Sequence, residues 1–221
     1  MYGDLLEGCL KKKDLNSARQ IQWLVIRDGL DSIGHFWNDH LIRLFAICGN
    51  LDESKRIFSK VGNRSIFTWN AIITASQKLG VLEETMDLYT KMLTGGILPD
   101  VITYLCMMKA CSASKNMDQY RTVHHEVVCR GIDVNINVGS TLVHAYAECG
   151  RLEDARCVFD ILPSRNVVTW GAMISAYTQH GLGDLAIKAF NEMQQIGFKP
   201  DEVLFSCVLK GLADIKSFEK G

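Results

Sequence analysis

One element of the sequence has residue types that could do zinc chemistry. His124-His125-Glu126 has the His-x-Glu spacing of zinc-dependent deaminases, in which the histidine binds the metal and the glutamate transfers protons. Those enzymes complete the site with a downstream Pro-Cys-x-x-Cys, and no such segment follows here, since Cys129 and Cys149 stand alone. Because a lone His-x-Glu lacks the ligands that zinc needs, we expect no metal site. The element predicts an ordinary helical stretch with His124 on its inner face.

Other reactive or phosphate-binding groups also lack the partners that their chemistry requires. Gly95-Gly96 is followed by no Lys-Ser/Thr pair, so it predicts a turn at a helix end and no phosphate loop. Lys11-Lys12-Lys13 predicts a solvated loop with at most a weak phosphate contact. The eight cysteines include no Cys-x-x-Cys and predict small buried thiols in a reducing compartment. We therefore expect neither catalysis nor a cofactor in this segment.

Composition narrows the class of protein further. Of the 221 residues, 48% are hydrophobic and 22% are charged, so the chain can bury a continuous core. A net charge of −1 excludes a strongly basic protein that binds nucleic acid over its whole surface, so any such site has to be local. No apolar run approaches the roughly 18 residues of a membrane span. No signal or transit peptide pattern is visible at Met1, so any targeting segment is expected outside this sequence.

The elements that have to position any site recur along the chain at a fixed distance. The recurring residues, 101 positions apart in each case, are Cys48-Gly49 and Cys149-Gly150, Phe58 and Phe159, Thr68-Trp69 and Thr169-Trp170, and Pro99-Asp100 and Pro200-Asp201. A fixed period held over so many positions is typical of a repeat array. Both tryptophans stand at helical spacing from aliphatic residues, which predicts that they belong to the core.

Each long period divides into three helix pairs of about 35, 31 and 35 residues. The predicted units are 1–34, 35–65, 66–100, 101–135, 136–166, 167–201 and 202–221. The first and last are partial, which predicts a piece of a longer array.

Residues at the expected helix ends support this division into pairs. Threonines are expected just before first helices, where a hydroxyl can cap free N–H groups: Thr68, Thr103 and Thr169. Glycines are expected just after first helices, where a left-handed residue is needed: Gly80, Gly150 and Gly181. Pro99 and Pro200 prevent the second helices from continuing into the next unit.

With these units laid out, the sequence resembles the pentatricopeptide repeat family, in the plant-type subclass in which P, L and S motifs alternate. The P-like segments are Ile66–Ile73 ending at Gly96–Asp100, and Val167–Ile174 ending at Gly197–Asp201. The S-like segment is Tyr146–Arg156 with Val158-Phe159-Asp160, and the L-like one is Lys109-Ala110-Cys111 with Val123-His124. The resemblance covers essentially the whole chain. It makes 66–100 and 167–201 P repeats, 35–65 and 136–166 S repeats, 101–135 an L repeat, and the two ends partial L repeats.

This resemblance implies an all-α fold, a right-handed superhelical solenoid of antiparallel helix-hairpin repeats that binds single-stranded RNA with one base per repeat. In the family, the fifth and last residues of each motif select the base, and the second residue packs against it. The geometry of the units agrees, because the fifth residue is expected in the first turn of the first helix. The last residue is expected in the loop before the next first helix, so both should face one concave edge.

Two repeats carry base-selecting pairs that resemble those of the family. Asn70 and Asp100 resemble the uracil-selecting pair, with Phe67 as the packing residue. Ser140 and Asn166 resemble an adenine-selecting pair, although Asn137 stands at the packing position, where it departs from the family.

The remaining repeats are expected to select a base weakly or not at all. Gly171 has no side chain to reach a base, and Leu105 cannot form a hydrogen bond. By the family register, the base-selecting pairs of these repeats are Gly171 with Asp201, Leu105 with Asn135, and Asp39 with Ser65. Their packing residues are Val168, Ile102 and Phe36, and Val203 is the packing residue of the last, partial repeat. Asp39 and Ser65 match no standard pair, and their register depends on a short loop at Ile33-Gly34.

Three functional hypotheses stay open from the sequence. The first is sequence-specific RNA binding in a mitochondrion or chloroplast, in RNA processing or in recognition of C-to-U editing sites, together with other editing or processing proteins. A deaminase-like domain, if the natural protein resembles such editing factors, would lie downstream of this segment. The second is a scaffold for proteins, because helical solenoids also offer concave surfaces to peptides. The third is a fragment with too few selective repeats to bind RNA alone. No membrane partner is expected, and self-association cannot be derived from these residues.

Overall fold

The computed structural model describes residues 2–32 and 36–209, and all regular structure within them is helical. The helices are α1 (Tyr2–Lys12), α2 (Leu15–Arg27), α3 (Phe36–Ile47), α4 (Leu51–Lys60), α5 (Ile66–Lys78), α6 (Leu82–Thr94), α7 (Val101–Ser114), α8 (Met117–Cys129), α9 (Ile136–Glu148), α10 (Leu152–Ile161), α11 (Val167–Gln179) and α12 (Gly183–Gln195), with a 3₁₀ turn at Leu30–Ser32. Residues 202–209 are also helical. The expected all-α class is confirmed. The loop Ile33-Gly34 and residues 210–221 of the last expected unit lie outside the described residues.

The helices pack as hairpins within two compact units, and the boundary between them falls inside α7. The N-terminal unit is Met1–Ala110 and the C-terminal unit is Cys111–Gly221. In the N-terminal unit α1 packs on α2, α3 on α4 and α5 on α6, with the first helices α3 and α5 side by side. In the C-terminal unit α9 packs on α10 and α11 on α12, with α9 beside α11. Short loops join the partners, so each pair is antiparallel, as expected for helix hairpins.

In each unit, one aromatic pair joins the second helix of a hairpin to the first helix of the following hairpin. Phe58 of α4 meets Trp69 of α5 edge to face, with ring centroids 4.9 Å apart. Phe159 of α10 meets Trp170 of α11 in the same way at 4.7 Å. Both indole rings are buried, which confirms the prediction that they belong to the core. Such edge-to-face pairs add to the stabilisation that burial of the rings already gives.

The first helices begin earlier in the chain than expected from the assignment of threonines as their N-caps. α5 begins at Ile66 and α11 at Val167, so Thr68 and Thr169 are third residues of their helices. The N-cap is the preceding polar residue: Asn166 Oδ1 accepts the Thr169 N–H at 2.9 Å, and the Thr169 hydroxyl accepts the Asn166 N–H at 2.9 Å. This reciprocal arrangement is a capping box.

The prediction that Thr68, Thr103 and Thr169 are N-caps is therefore wrong. Thr103 is likewise the third residue of α7, where its N–H donates to Asp100 Oδ1 at 3.0 Å. The error arises because a threonine suits both the N-cap and the third position of a capping box, so residue type alone leaves the register open.

The first helices end as predicted. Gly80, Gly150 and Gly181 have positive φ angles of 74°, 71° and 71°. The residue after the first of these glycines, Val81, returns its N–H to the Ser76 carbonyl at 3.1 Å. A left-handed residue followed by such a bond is the usual way to close a helix C-terminus, and glycine adopts it without a Cβ clash.

The second helices α4 and α10 end without a glycine of positive φ, since Gly62 after α4 does not have one, and an arginine from the following loop satisfies their last carbonyls. Arg165 donates from Nε to the Phe159 carbonyl at 3.0 Å and from Nη2 to that of Asp160 at 3.1 Å. Its guanidinium lies 4.6 Å from the centroid of the Phe159 ring, a cation–π distance. Arg64 makes the equivalent contacts with the carbonyl and ring of Phe58. The sequence analysis missed both arginines, although they too stand 101 positions apart.

Replacing Gly139 by Ala should destabilise the C-terminal unit. A Cβ at this position of α9 would overlap Cδ2 of Leu162 and lie 3.2 Å from its Cγ, and the Leu162 side chain is itself buried. We expect a loss of about 1–3 kcal/mol in the free energy of unfolding, measured in urea, because a packed core has to shift. The matched control is Gly171→Ala in α11, where a Cβ meets no heavy atom within 4 Å and should add up to about 1 kcal/mol. Equal stability of the two variants would contradict the packing described for Leu162.

Candidate nucleic-acid interface

Exposed apolar side chains stand at the second motif position of five first helices, while α9 has Asn137 there. Their exposed fractions lie between 50% and 71%, well above those of core residues. They are Phe36, Phe67, Ile102, Val168 and Val203. These are the residues predicted to pack against bases. Large apolar groups left in water at equivalent positions indicate a surface that a partner covers.

A cleft of about 670 Å³ in the N-terminal unit brings several of these positions together. Its lining includes six of the predicted positions, namely Phe36, Asp39, Ser65, Phe67, Asn70 and Ile102. Asn70 is the fifth residue of α5, so it lies just beyond the first turn in which the sequence had placed it. Ser65 caps α5 and stands at the edge of the same cleft.

Asn70 and Asp100 meet directly in this unit. Asn70 Nδ2 donates to both carboxylate oxygens of Asp100, at 3.0 Å each, across thirty residues of sequence. The Thr103 hydroxyl lies 2.6 Å from Asn70 Oδ1 and 3.1 Å from Asp100 Oδ1, and it donates its one proton to the nearer oxygen, that of Asn70. Asp100 Oδ1 in turn accepts the Thr103 backbone N–H, as an N-cap of α7. The predicted uracil-selecting pair is therefore one hydrogen-bonded group, and Thr103 is a member that the sequence analysis did not include.

Basic side chains line the same cleft. Arg43 of α3 and Lys78 of α5 both border it, together with His40. Burial, and then the positive charge of Arg43, hold the pKa of His40 below its ordinary value, so its imidazole is neutral at neutral pH. The sequence analysis missed Arg43 and Lys78. Helical spacing could have found them, because they follow Phe36 and Phe67 by seven and eleven positions on the same faces.

A smaller cleft of about 270 Å³ occupies the corresponding place in the C-terminal unit. Val168, Gly171, Asp201 and Val203 all line it, as the register of the 167–201 repeat predicts. Asp201 Oδ1 accepts the Leu204 N–H at 2.8 Å, so this carboxylate also acts at a helix start. Because Gly171 presents no side chain, Asp201 has no counterpart of Asn70 to hold.

Ser140 and Asn166 form no hydrogen bond with each other. The Ser140 hydroxyl donates to the carbonyl of Ile136 within its own helix. Asn166 Oδ1 is used by the capping box of α11. The Asn166 amide NH₂ makes no hydrogen bond with the described residues, so it is available to a ligand.

Asn135, predicted as the last residue of the 101–135 repeat, is the N-cap of α9. Its Oδ1 accepts the N–H groups of Asn137 and Val138 at 3.0 and 3.3 Å. Ser65, Asp100, Asn166 and Asp201 act in the same way at their own helix starts. Serine, asparagine and aspartate are the preferred N-cap residues, so capping alone accounts for the residue types at these positions. Leu105 is half-buried and has no polar group to offer a base.

The His-x-Glu element is used in packing. His124 Nδ1 lies 2.8 Å from the Tyr146 hydroxyl, on the inner side of α8 as predicted. Burial holds the pKa of His124 below its ordinary value. Among the described residues, no group of three or more His, Cys, Asp or Glu side chains is placed to hold a metal. Over residues 2–32 and 36–209, no helix is both long and apolar enough to cross a membrane.

Comparison with known proteins identifies the repeats. A model described as the PPR repeat family matches residues 64–113 and 165–214, and a second, described as the PPR repeat, matches 140–167. Two chloroplastic pentatricopeptide repeat-containing proteins of Arabidopsis thaliana are 33% and 32% identical over the whole chain, and a putative mitochondrial one is 30% identical over 98% of it. The chain spans 27%, 42% and 35% of their lengths. In structure, it matches the pentatricopeptide repeat protein PPR10 in complex with an 18-nt psaJ RNA element, with a TM-score of 0.79 and 19% identity over 90% of this chain and 30% of that one. This likeness shows a shared fold.

Proposed function

The chain belongs to the pentatricopeptide repeat family, and we propose that it binds single-stranded RNA in a sequence-selective way, as the RNA-recognition segment of an organellar RNA-processing or C-to-U editing factor. The observation that carries this proposal is the cleft of the N-terminal unit. There the Asn70–Asp100 pair lies beside two exposed apolar side chains, Phe67 and Ile102, and two cations, Arg43 and Lys78. Stacking surface, hydrogen-bonding edge and positive charge are the three groups that single-stranded RNA requires.

The repeat register supplies the expected sequence preference. We assign 35–65 and 136–166 to S repeats, 66–100 and 167–201 to P repeats, and 101–135 to an L repeat, with partial L repeats at both ends. Asn70 and Asp100 select uracil, and Ser140 and Asn166 select adenine, whose N1 can accept from the unengaged Asn166 NH₂. One repeat lies between these two. With one base per repeat and RNA parallel to the chain, the expected motif is 5′-U-N-A-3′.

The remaining repeats contribute apolar contacts with the RNA but little selection between bases. Leu105 and Gly171 have no polar side chain for a base edge, while Ile102 and Val168 still offer apolar surface. The segment acts as a binding module. Mitochondrial and chloroplastic names among the Arabidopsis relatives support an organellar location for this chain as well. Other processing or editing proteins are expected partners of the RNA-bound form.

Selection of RNA from a random pool at low salt, followed by sequencing, tests the proposal. We expect enrichment of U-N-A, and a loss of roughly tenfold in affinity when the U is changed to C, since one base pairing of this kind discriminates by about 1–3 kcal/mol. The base opposite 101–135 is the internal control, and changing it should leave affinity unaltered. Retention without a preferred motif would contradict the assigned pairs. No retention at low salt would favour a protein-binding scaffold.

A further inference from the structure

We propose that Thr103 is a positioning residue for base selection, an inference that rests on the proposed RNA-binding function. Its hydroxyl lies 2.6 Å from Asn70 Oδ1, while Asn70 Nδ2 is held by both carboxylate oxygens of Asp100 at 3.0 Å. Thr103 belongs to the helix of the next repeat, so one repeat fixes the base-selecting side chain of the one before it. The two contacts together determine which edge of the Asn70 amide faces the cleft.

The chemistry of the three groups permits one orientation of the amide. A carboxylate only accepts hydrogen bonds, so Asp100 holds the NH₂ end and would repel the carbonyl end. Thr103 then donates to the carbonyl end and closes the group. Thr103 is fully buried and Asn70 is only 6% exposed, so water does not readily replace either bond.

The fixed orientation explains a preference for uracil over cytosine. With the NH₂ held on Asp100, Asn70 presents the second lone pair of Oδ1 towards the cleft. Uracil carries an N–H donor at N3, whereas cytosine carries an acceptor there, so the carbonyl edge pairs with the first and repels the second. Without the Thr103 hydroxyl the amide would be held at its NH₂ end alone, so its carbonyl oxygen could move away from the uracil N–H and would distinguish the two pyrimidines less well.

A matched position exists in the chain. Thr103 closes a capping box with Asp100, whose N–H lies 3.3 Å from the Thr103 hydroxyl. Thr169 is likewise the third residue of a first helix and closes a capping box with Asn166. It makes no bond to the preceding fifth residue, since the Ser140 hydroxyl donates to Ile136. A substitution of Thr169 therefore removes the capping role alone, while the same substitution of Thr103 removes capping and positioning together.

The test compares Thr103→Val, Thr103→Ser and Thr169→Val in the 221-residue chain, with RNAs that carry U or C opposite residues 66–100. We expect Thr103→Val to lower the preference for U over C by roughly three- to tenfold, the worth of one hydrogen bond. Thr103→Ser, which keeps the hydroxyl, should retain the preference, and Thr169→Val should leave it unchanged despite a similar loss of stability. An unaltered preference in Thr103→Val, or an equal loss in Thr103→Ser, would overturn the proposal.

A second measurement separates this inference from the proposed function. In the RNA-free chain, the side-chain NH₂ resonances of Asn70 should be sharp in the wild type and in Thr103→Ser. In Thr103→Val they should shift and broaden, because Asp100 still holds the NH₂ end of the amide but nothing holds its carbonyl end. If the wild type shows no base preference, the assigned pairs fail. The NMR comparison then still decides whether Thr103 fixes the amide, and unchanged Asn70 signals in Thr103→Val would overturn that.

Discussion

Replacing Asn70 by Ser and Asp100 by Asn should change the preferred base opposite residues 66–100 from uracil to adenine. The two substitutions copy the pair that stands at 140 and 166 of the same chain. The serine hydroxyl and the asparagine NH₂ can both donate to an adenine edge, and the carboxylate that held the Asn70 amide is gone. We expect the ratio of affinities for U and A at this site to change by about 5- to 150-fold in favour of A, from about 1–3 kcal/mol per selective pair.

The design keeps the helix start intact, which makes the result interpretable. Asp100 caps α7 through the N–H of Thr103, and asparagine caps a helix about as well as aspartate does. The control is the reciprocal variant, Ser140→Asn with Asn166→Asp, which should move the preference opposite 136–166 from adenine to uracil. Base preferences that follow neither exchange would contradict base selection by these pairs and would leave Asp100 and Asn166 with helix capping alone.

The sequence predicted the positions of the site better than the contacts within it. Five exposed apolar residues fall at the second motif position, because a helical period carries a pattern from one repeat to the next without knowledge of packing, and only Asn137 departs from it among the described repeats 36–209. The bonds of Asn70 could not be predicted in this way. They join a helix to the next repeat thirty residues later, and depend on how two hairpins pack.

Helix starts show where residue types are ambiguous. Ser65 and Thr68, or Asn166 and Thr169, are both capable N-caps, and only the observed bonds decide which of each pair takes that role. The sequence-based prediction placed the N-cap at the threonine, three residues after the residue that caps the helix. That register decides whether the third residue can reach back to the fifth residue of the preceding first helix, as Thr103 reaches Asn70.

The arginine contacts were hidden for a different reason. Arg64 and Arg165 recur at the same spacing as the tryptophans, so the repeat was visible. Their role depends on the end of the preceding helix, where no glycine closes the last turn. The shorter repeats thus use a side chain where the longer ones use a glycine, such as Gly96 with its positive φ of 74°.

Replacing Phe67 by Ala should weaken RNA binding by about 5- to 150-fold with little effect on folding. Stacking of a base on an aromatic ring contributes about 1–3 kcal/mol when measured by alanine substitution. The Phe67 ring is 68% exposed, so removing it costs the free protein little buried area. We expect the urea midpoint to stay close to the wild-type value. Phe67→Tyr, which keeps the ring, should retain most of the affinity.

The control for this prediction is Leu98→Ala. Leu98 is exposed to a similar degree, at 64%, but it does not line the cleft beside Asn70. Loss of general surface hydrophobicity should affect both variants alike, whereas a stacking role should affect Phe67→Ala alone. The dependence of affinity on salt should not change in Phe67→Ala, because no phosphate contact is removed. Equal affinities of Phe67→Ala and Leu98→Ala would contradict a base at this ring and would favour a peptide or protein as the partner of the exposed apolar residues.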